Sequence, residues 1–255
     1  MSEISTNQPL GTPTWLDLGI PDLDRAMSFY GPLFGWEFDV GSEETGRYTM
    51  CRMRGKDVAA LMPNPDPAAK KFWWNVYLAT DDVDATMDRI GKAGGKVVVD
   101  AMDVMNFGRM AVVVDPSGGQ FCLWQGKDHV GCELVNEPGA LLRNDLVTPD
   151  PGPAREFYAS VFDFTLDGND DMAGVDFTFL RRPDGHEIGG IMGIPDAPSS
   201  SWGTLFQVED ADRAVAIARE KGGEADDPYD MQYGRMAEIR DPFGATFSVG
   251  SPLNT

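Results

Sequence analysis

The sequence predicts an α+β fold made of four βαβββ units, arranged as two tandem copies. Three observations predict it: an internal repeat, a further division inside each copy, and turn-bounded strand segments after each helix. Phe29-Tyr30 recurs as Phe157-Tyr158, Trp74 as Trp202 and Gly94-Gly95 as Gly222-Gly223, each 128 residues apart. Phe107-Gly108-Arg109-Met110 recurs as Tyr233-Gly234-Arg235-Met236, and Asp115-Pro116 as Asp241-Pro242, both 126 apart. Five matches in order at nearly constant spacing indicate duplication. They place one copy at residues 1–130 and the other at 131–255.

Inside a copy, Gly19–Tyr30 (GIPDLDRAMSFY) and Leu78–Ile90 (LATDDVDATMDRI) both read as a strand, an acidic cap and an amphipathic helix. Asp22 and Asp82 sit where a cap carboxylate can accept from the free N–H groups of the first turn. Pro149-Asp150 and Glu209-Asp210 open the same unit in the second copy. Short strands follow each helix, the first set being Trp36–Val40, Arg47–Arg54 and Asp57–Met62. Gly55-Lys56, Ser117-Gly118-Gly119 and Pro183-Asp184-Gly185 are turns between paired strands. Arg109–Val114 and Phe121–Trp124 are almost wholly apolar, as strands are when one face meets helices and the other lines a cavity. A plain sandwich without a cavity would have the same composition. Pro63–Lys71, Gln125–Pro138 and Ile194–Ser200 read as linkers, the second joining the copies.

Composition narrows the function. Against 41 Asp and Glu stand 21 Lys and Arg, a net charge of −20, which repels phosphate backbones and anionic lipid. Nucleic acid and membrane surfaces are therefore not expected partners. No apolar run approaches the roughly 18–20 residues of a bilayer span. Met1–Pro13 lacks a signal-peptide pattern. Cys51, Cys122 and Cys132 are too few and too scattered for a disulfide framework. A soluble, reduced, cytoplasmic protein is expected. With no P-loop, G-x-G-x-x-G or nucleophile elbow, no phosphate-bearing cofactor is expected either.

The four units, with the F-Y helix and a closing D-P-x-G turn before the last strand of each copy, resemble the vicinal oxygen chelate superfamily of glyoxalase I, bleomycin-resistance proteins and extradiol dioxygenases. TWLDLGIPD, LFGW, DPSGGQFCLWQ and DPFGATFSV resemble its tandem-domain actinobacterial, glyoxalase-like branch, some of whose members accompany aromatic polyketide pathways. The resemblance runs from about Thr12 to Gly250. It implies two open barrels, with metal ligands on inward strand positions in the catalytic members. Those positions hold Trp15, Asn75 and Cys122 in the first copy and Arg143, Gly203 and Ser248 in the second. None is His or Glu, so no metal and no glyoxalase or dioxygenase chemistry are expected. His129 falls in the inter-copy linker and His186 in a strand turn, where it is expected to face solvent.

Aromatic residues occupy the vacated positions. Trp15, Asp17, Trp74, Asn75, Tyr77, Cys122 and Trp124 are the candidate ligand-binding residues, forming a pocket for a planar apolar molecule. The competing reading is that they simply fill the barrel. Arg143 and Asp145, two apart on a strand, are the candidate catalytic pair. Arg143 would hold an oxyanion or carboxylate bidentately in place of the metal, and Asp145 would orient it or act as a base. An ordinary intramolecular ion pair is the alternative. Arg109 and Arg235, repeated before matching strands, read as structural. Three functions compete: a metal-free binding protein for an aromatic or polyketide-like natural product; a metal-free isomerase, cyclase or oxygenase accessory, with a pathway oxygenase as partner; and an interaction protein with filled cavities.

Overall fold

The computed structural model describes residues 3–168 and 174–253. The first copy runs β1 (Pro13–Ile20), α1 (Leu23–Phe34), β2 (Glu37–Asp39), β3 (Thr49–Met53), β4 (Lys56–Pro63), β5 (Trp74–Ala79), α2 (Val83–Lys92), β6 (Lys96–Val104), β7 (Gly108–Val114) and β8 (Gln120–Gly126). The second runs β9 (Leu141–Thr148), α3 (Pro151–Phe162), β10 (Thr165–Gly168), β11 (Asp176–Arg181), β12 (Glu187–Gly193), β13 (Ser201–Gln207), α4 (Ala211–Glu220), β14 (Glu224–Ala225), β15 (Tyr229–Met231), β16 (Gly234–Arg240) and β17 (Thr246–Ser251). The α+β class and the βαβββ order hold, with one local departure. The outer strand of the fourth unit is split into β14 and β15, because Asp226-Asp227-Pro228 interrupts it and a proline cannot donate to the ladder.

Each copy forms one sheet, ordered β2-β3-β4-β1-β5-β8-β7-β6 and β10-β11-β12-β9-β13-β17-β16-β14, with β15 beside β16. The two units of a copy meet through antiparallel pairing of β1 with β5, and of β9 with β13. The first sheet is strongly curled. Met50 on β3 and Val104 on β6 pack on the same apolar cluster. In a flat sheet those strands would lie roughly 30 Å apart at the usual inter-strand spacing.

The predicted caps hold where the backbone needs them. Asp22, Asp82 and Asp210 accept from Arg25, Ala85 and Arg213 N–H at 3.0–3.1 Å. Asp150 makes no such side-chain bond, and Pro151 at the first helical position leaves one fewer donor to satisfy. Arg109 and Arg235 each clasp a first-turn carboxylate of a helix, Asp84 and Asp212, with two nitrogens, which is the structural role their repetition suggested.

The helices face the other copy. α1 packs against α4 and α2 against α3. One continuous core takes in Leu16, Leu18, Phe29 and Tyr30 of the first copy with Phe157, Tyr158, Phe206 and Phe247 of the second. At its centre the two repeated motifs bond to one another across the copies. Tyr30 donates to Asp241 Oδ2 at 2.9 Å, and Tyr158 donates to Asp115 Oδ2 at 2.7 Å. The other oxygen of each Asp ties its own D-P-x-G turn, accepting from Ser117 and Gly119 N–H or from Phe243 and Ala245 N–H at 2.7–3.0 Å. Gly118 and Gly244 close these turns at φ 99° and 96°, where a side chain would be strained.

Losing either tyrosine hydroxyl leaves a buried carboxylate oxygen short of a donor. Tyr30→Phe and Tyr158→Phe should each destabilise the chain by about 1–3 kcal/mol. Urea unfolding should remain a single transition, since the copies share one core. Two separated transitions would show the copies to be independent.

Candidate functional site

The helix-facing sides of both sheets are consumed by the core, so each copy has one remaining face, the inner one. The two inner faces differ. β1 is buried along almost its whole length, whereas β9 alternates, with Asn144, Leu146 and Thr148 buried and Arg143, Asp145 and Val147 half-buried.

In the first copy, Trp15, Ala60, Tyr77, Cys122, Trp124 and Cys132 form a second buried cluster, flanked by Tyr48, Met50, Met110 and Val112. Alternation along the strands brings these residues together, with Asp17 and Asn75 on the same face. Trp74 is not among them. Adjacent strand residues point to opposite faces, so Trp74 lies in the shared core against Tyr30, Trp36 and Phe206. Its placement beside Asn75 in the pocket is corrected accordingly.

Asp17, 1% exposed, anchors the polar part of this face. It accepts from Tyr77 Oη at 2.7 Å, Asn75 Nδ2 at 2.8 Å and Tyr48 Oη at 3.1 Å. Tyr48 in turn accepts from Trp15 Nε1 at 2.8 Å. No cation pairs with Asp17 among the described residues. Burial therefore raises its carboxyl above the usual range, against the pull of the three bonds. Burial likewise pushes the Cys122 thiol up and makes it a poor nucleophile.

His129 also departs from expectation. The linker that carries it folds back over the inner face as a strap. Its ring stands edge-on to Trp15 at 4.3 Å and near Trp124 at 5.8 Å. Its Nε2 is buried without a partner among the described residues, and burial lowers its basicity. The strap is tied by Trp124 Nε1 to His129 O at 2.9 Å, Cys132 N to Thr14 O at 2.7 Å and Glu133 N to Asp57 O at 2.7 Å. His186 is exposed, as expected.

In the second copy Arg143 carries the inner face. Its Nε donates to both oxygens of Asp145 at 2.8 and 2.9 Å, and its Nη1 donates to Glu187. The guanidinium carbon sits 5.4 Å from the Phe177 ring centre and 5.5 Å from that of Phe179. A Cβ at Gly190 would stand 2.2 Å from Phe177 Cζ, so the glycine makes room for that ring against the strand. Removal from water raises the Asp145 carboxyl, while Arg143 pulls the other way. Nη2 is buried and has no hydrogen-bond partner among the described residues. The expected bidentate clamp on a ligand carboxylate is therefore corrected: Asp145 and Glu187 already occupy Nε and Nη1, and a single nitrogen is left. The Arg143 side chain is 24% exposed, while Trp15, at the matching position, is 2% exposed.

The donor set does not suit a divalent metal. Trp15 and Gly203 supply no ligand atom, and Arg143 is a paired cation. Among the described residues no group of three or more His, Cys, Asp or Glu could hold one. Tyr48, Trp73, His129, Phe177, Phe179 and Glu187 were not anticipated. Parity with Phe179 on one strand could have signalled Phe177; the strap and the reach of Glu187 had no local signal.

Residues 12–123 and 131–249 match the Glyoxalase/Bleomycin resistance protein/Dioxygenase superfamily, and the chain belongs to it. It is 40% identical over 250 residues to the putative glyoxylase CFP32 of Mycobacterium tuberculosis, covering 95% of each chain. It is 37% identical over 255 residues to the anthracycline biosynthesis protein DnrV of Streptomyces peucetius, covering 94% of this chain and 92% of that one. In fold it is similar to the Mn(II)-bound glyoxalase of Novosphingobium aromaticivorans (TM-score 0.65, 18% identity, 100% of this chain and 84% of that one). It is also similar to the 2,3-dioxygenase LapB of Pseudomonas sp. KL28 (TM-score 0.66, 15% identity, 97% and 94%).

The raised Asp17 carboxyl fixes the sign of a pH effect. The fold binds this proton more tightly than the unfolded chain, whose value is about 3.9. Its contribution to stability is present below that value and is lost as pH rises through the raised folded value. The stability of the protein relative to Asp17→Asn, measured by urea unfolding, should therefore fall as pH rises from about 4 through the raised folded value. A rise over that interval would contradict the assignment.

Proposed function

We propose that this superfamily member is a metal-independent binding protein for a flat aromatic, polyketide-like molecule, held on the inner face of its second copy. One observation carries the reading. Arg143 lies over the adjoining rings of Phe177 and Phe179 on a partly exposed face, with one buried nitrogen that has no partner among the described residues, whereas the middle of the matching face of the first copy is filled.

The charge arrangement sets the ligand class. Two carboxylates already offset the guanidinium, so an anion gains little. A neutral carbonyl or quinone oxygen can still take the free N–H as a charge-assisted bond, while the rings stack on the two phenylalanines. A relative at 37% identity is named for anthracycline biosynthesis, and anthracyclines are fused-ring quinones, which supports the same class. The name also supports a second reading, in which the cleft turns its ligand over without metal and Asp145 moves a proton.

Binding of 9,10-anthraquinone should weaken by about 1.5–3 kcal/mol in Arg143→Met, whereas anthracene, which lacks the oxygens, should be little affected. Phe177→Ala should weaken both, by roughly 0.5–1.5 kcal/mol beyond the lost contact area. Equal losses for the two ligands in Arg143→Met would refute the role given to its free nitrogen. Turnover of a bound quinone that disappears in Asp145→Asn would favour the enzyme.

Metal independence has its own check. Elemental analysis of protein purified without chelator should find no stoichiometric Zn, Fe, Ni or Mn. One tightly held metal per chain would overturn it.

A further inference from the structure

Above the filled inner face of the first copy lies a cavity of about 230 Å³, between the end of β1, the end of β4 and the start of β5. Met62, Pro65, Phe72 and Trp73 give it apolar walls, and Asn64, Lys71 and Asn75 are its polar side chains, the Asn64 amide being bonded to Gly19 O and Asp66 N. We propose that this cavity is a separate site for a compact aromatic carboxylate of one or two rings, with the rings against Trp73 and Phe72 and the carboxylate on Lys71.

Four features support it. Trp73 is 52% exposed, a large apolar surface left uncovered at the rim of a concavity rather than packed away. Lys71 is exposed and has no ion-pair partner among the described residues, although the chain carries twenty more acidic than basic side chains. The amide of Asn75 is held in one orientation. Its Nδ2 donates to Asp17 at 2.8 Å and its Oδ1 accepts from Trp73 Nε1 at 3.0 Å. One N–H of Asn75 remains for a ligand oxygen. Asp17 thus acts on this site through Asn75, as a positioning residue.

The fourth feature is its restriction to one copy. At the 128-residue offset that matches Trp74 with Trp202, Lys71, Phe72, Trp73 and Asn75 correspond to Ser199, Ser200, Ser201 and Gly203. A need of the fold common to both copies would call for similar residues in each. The cavity is also smaller than the several hundred Å³ of most drug-sized sites, which limits the ligand to one or two rings. The site differs in copy and in ligand charge from the face proposed above, and stands or falls independently of it.

Isothermal titration of the full chain with 2-naphthoate tests it. Binding should be one to one. Lys71→Met should weaken it by about tenfold, the equivalent of one charge-assisted bond, and Lys71→Arg should restore most of the loss. Neutral 2-naphthalenemethanol should bind Lys71→Met and the parent chain within twofold of each other. Trp73→Ala should weaken both ligands, with unchanged circular dichroism as the folding control. Excess 9,10-anthraquinone should leave the naphthoate isotherm unmoved. Absence of naphthoate binding at millimolar concentration would overturn the proposal, as would binding indifferent to both Lys71→Met and Trp73→Ala. Competition by the quinone would place the naphthoate in the other cleft, with the same consequence.

Discussion

Two tyrosine hydroxyls, each crossing to the other copy, set the constraint on which the rest of this molecule depends. Tyr30 bonds to Asp241 and Tyr158 to Asp115, and each Asp is simultaneously the knot of a turn at the far end of its own copy. A buried carboxylate must be satisfied from several directions, and here some donors come from the same copy and one from its twin. That arrangement requires the helices to lie between the sheets. It commits the helix-facing side of every strand to a common interior and leaves only the inner faces free for function.

Those inner faces illustrate how one backbone plan can be closed in one copy and left accessible in the other. In the first, Trp15, Tyr77 and Trp124 fill the curl of the sheet, and the strap carrying His129 lies over them. A large aromatic buried this way adds several kcal/mol to stability, so the filling serves the fold first. Among the described residues nothing comparable covers the second inner face. There Arg143 takes the position of Trp15, and its charge must be met locally by Asp145 and Glu187. The polar network keeps that face from closing into an apolar core, because a charged side chain is costly to bury completely.

The features legible in the sequence were local or periodic. Asp22, Asp82 and Asp210 announced helix starts because capping depends on a few consecutive residues. Trp15, Asp17, Asn75, Tyr77, Cys122 and Trp124 could be placed on one face because strand parity is strict. The same parity, applied to Trp74, would have sent it to the opposite side. What could not be read was contact between distant segments. Tyr30 and Asp241 are both conspicuous motif residues, yet no spacing rule pairs positions 211 apart. His129 lies in a stretch of turn-forming composition, and only the folded strap brings it to Trp15. Glu187 meets Arg143 through the parallel pairing of β12 with β9, which is a property of topology rather than of either strand.

The proposed quinone site lies on the second inner face, whereas Trp15, Tyr77 and Trp124 fill the middle of the first. Photo-crosslinking with an anthraquinone probe, followed by peptide mapping, tests it most directly. The account predicts adducts in the strands that carry Arg143, Phe177 and Phe179. Adducts confined to the strands carrying Trp15, Tyr77 and Trp124 would contradict it.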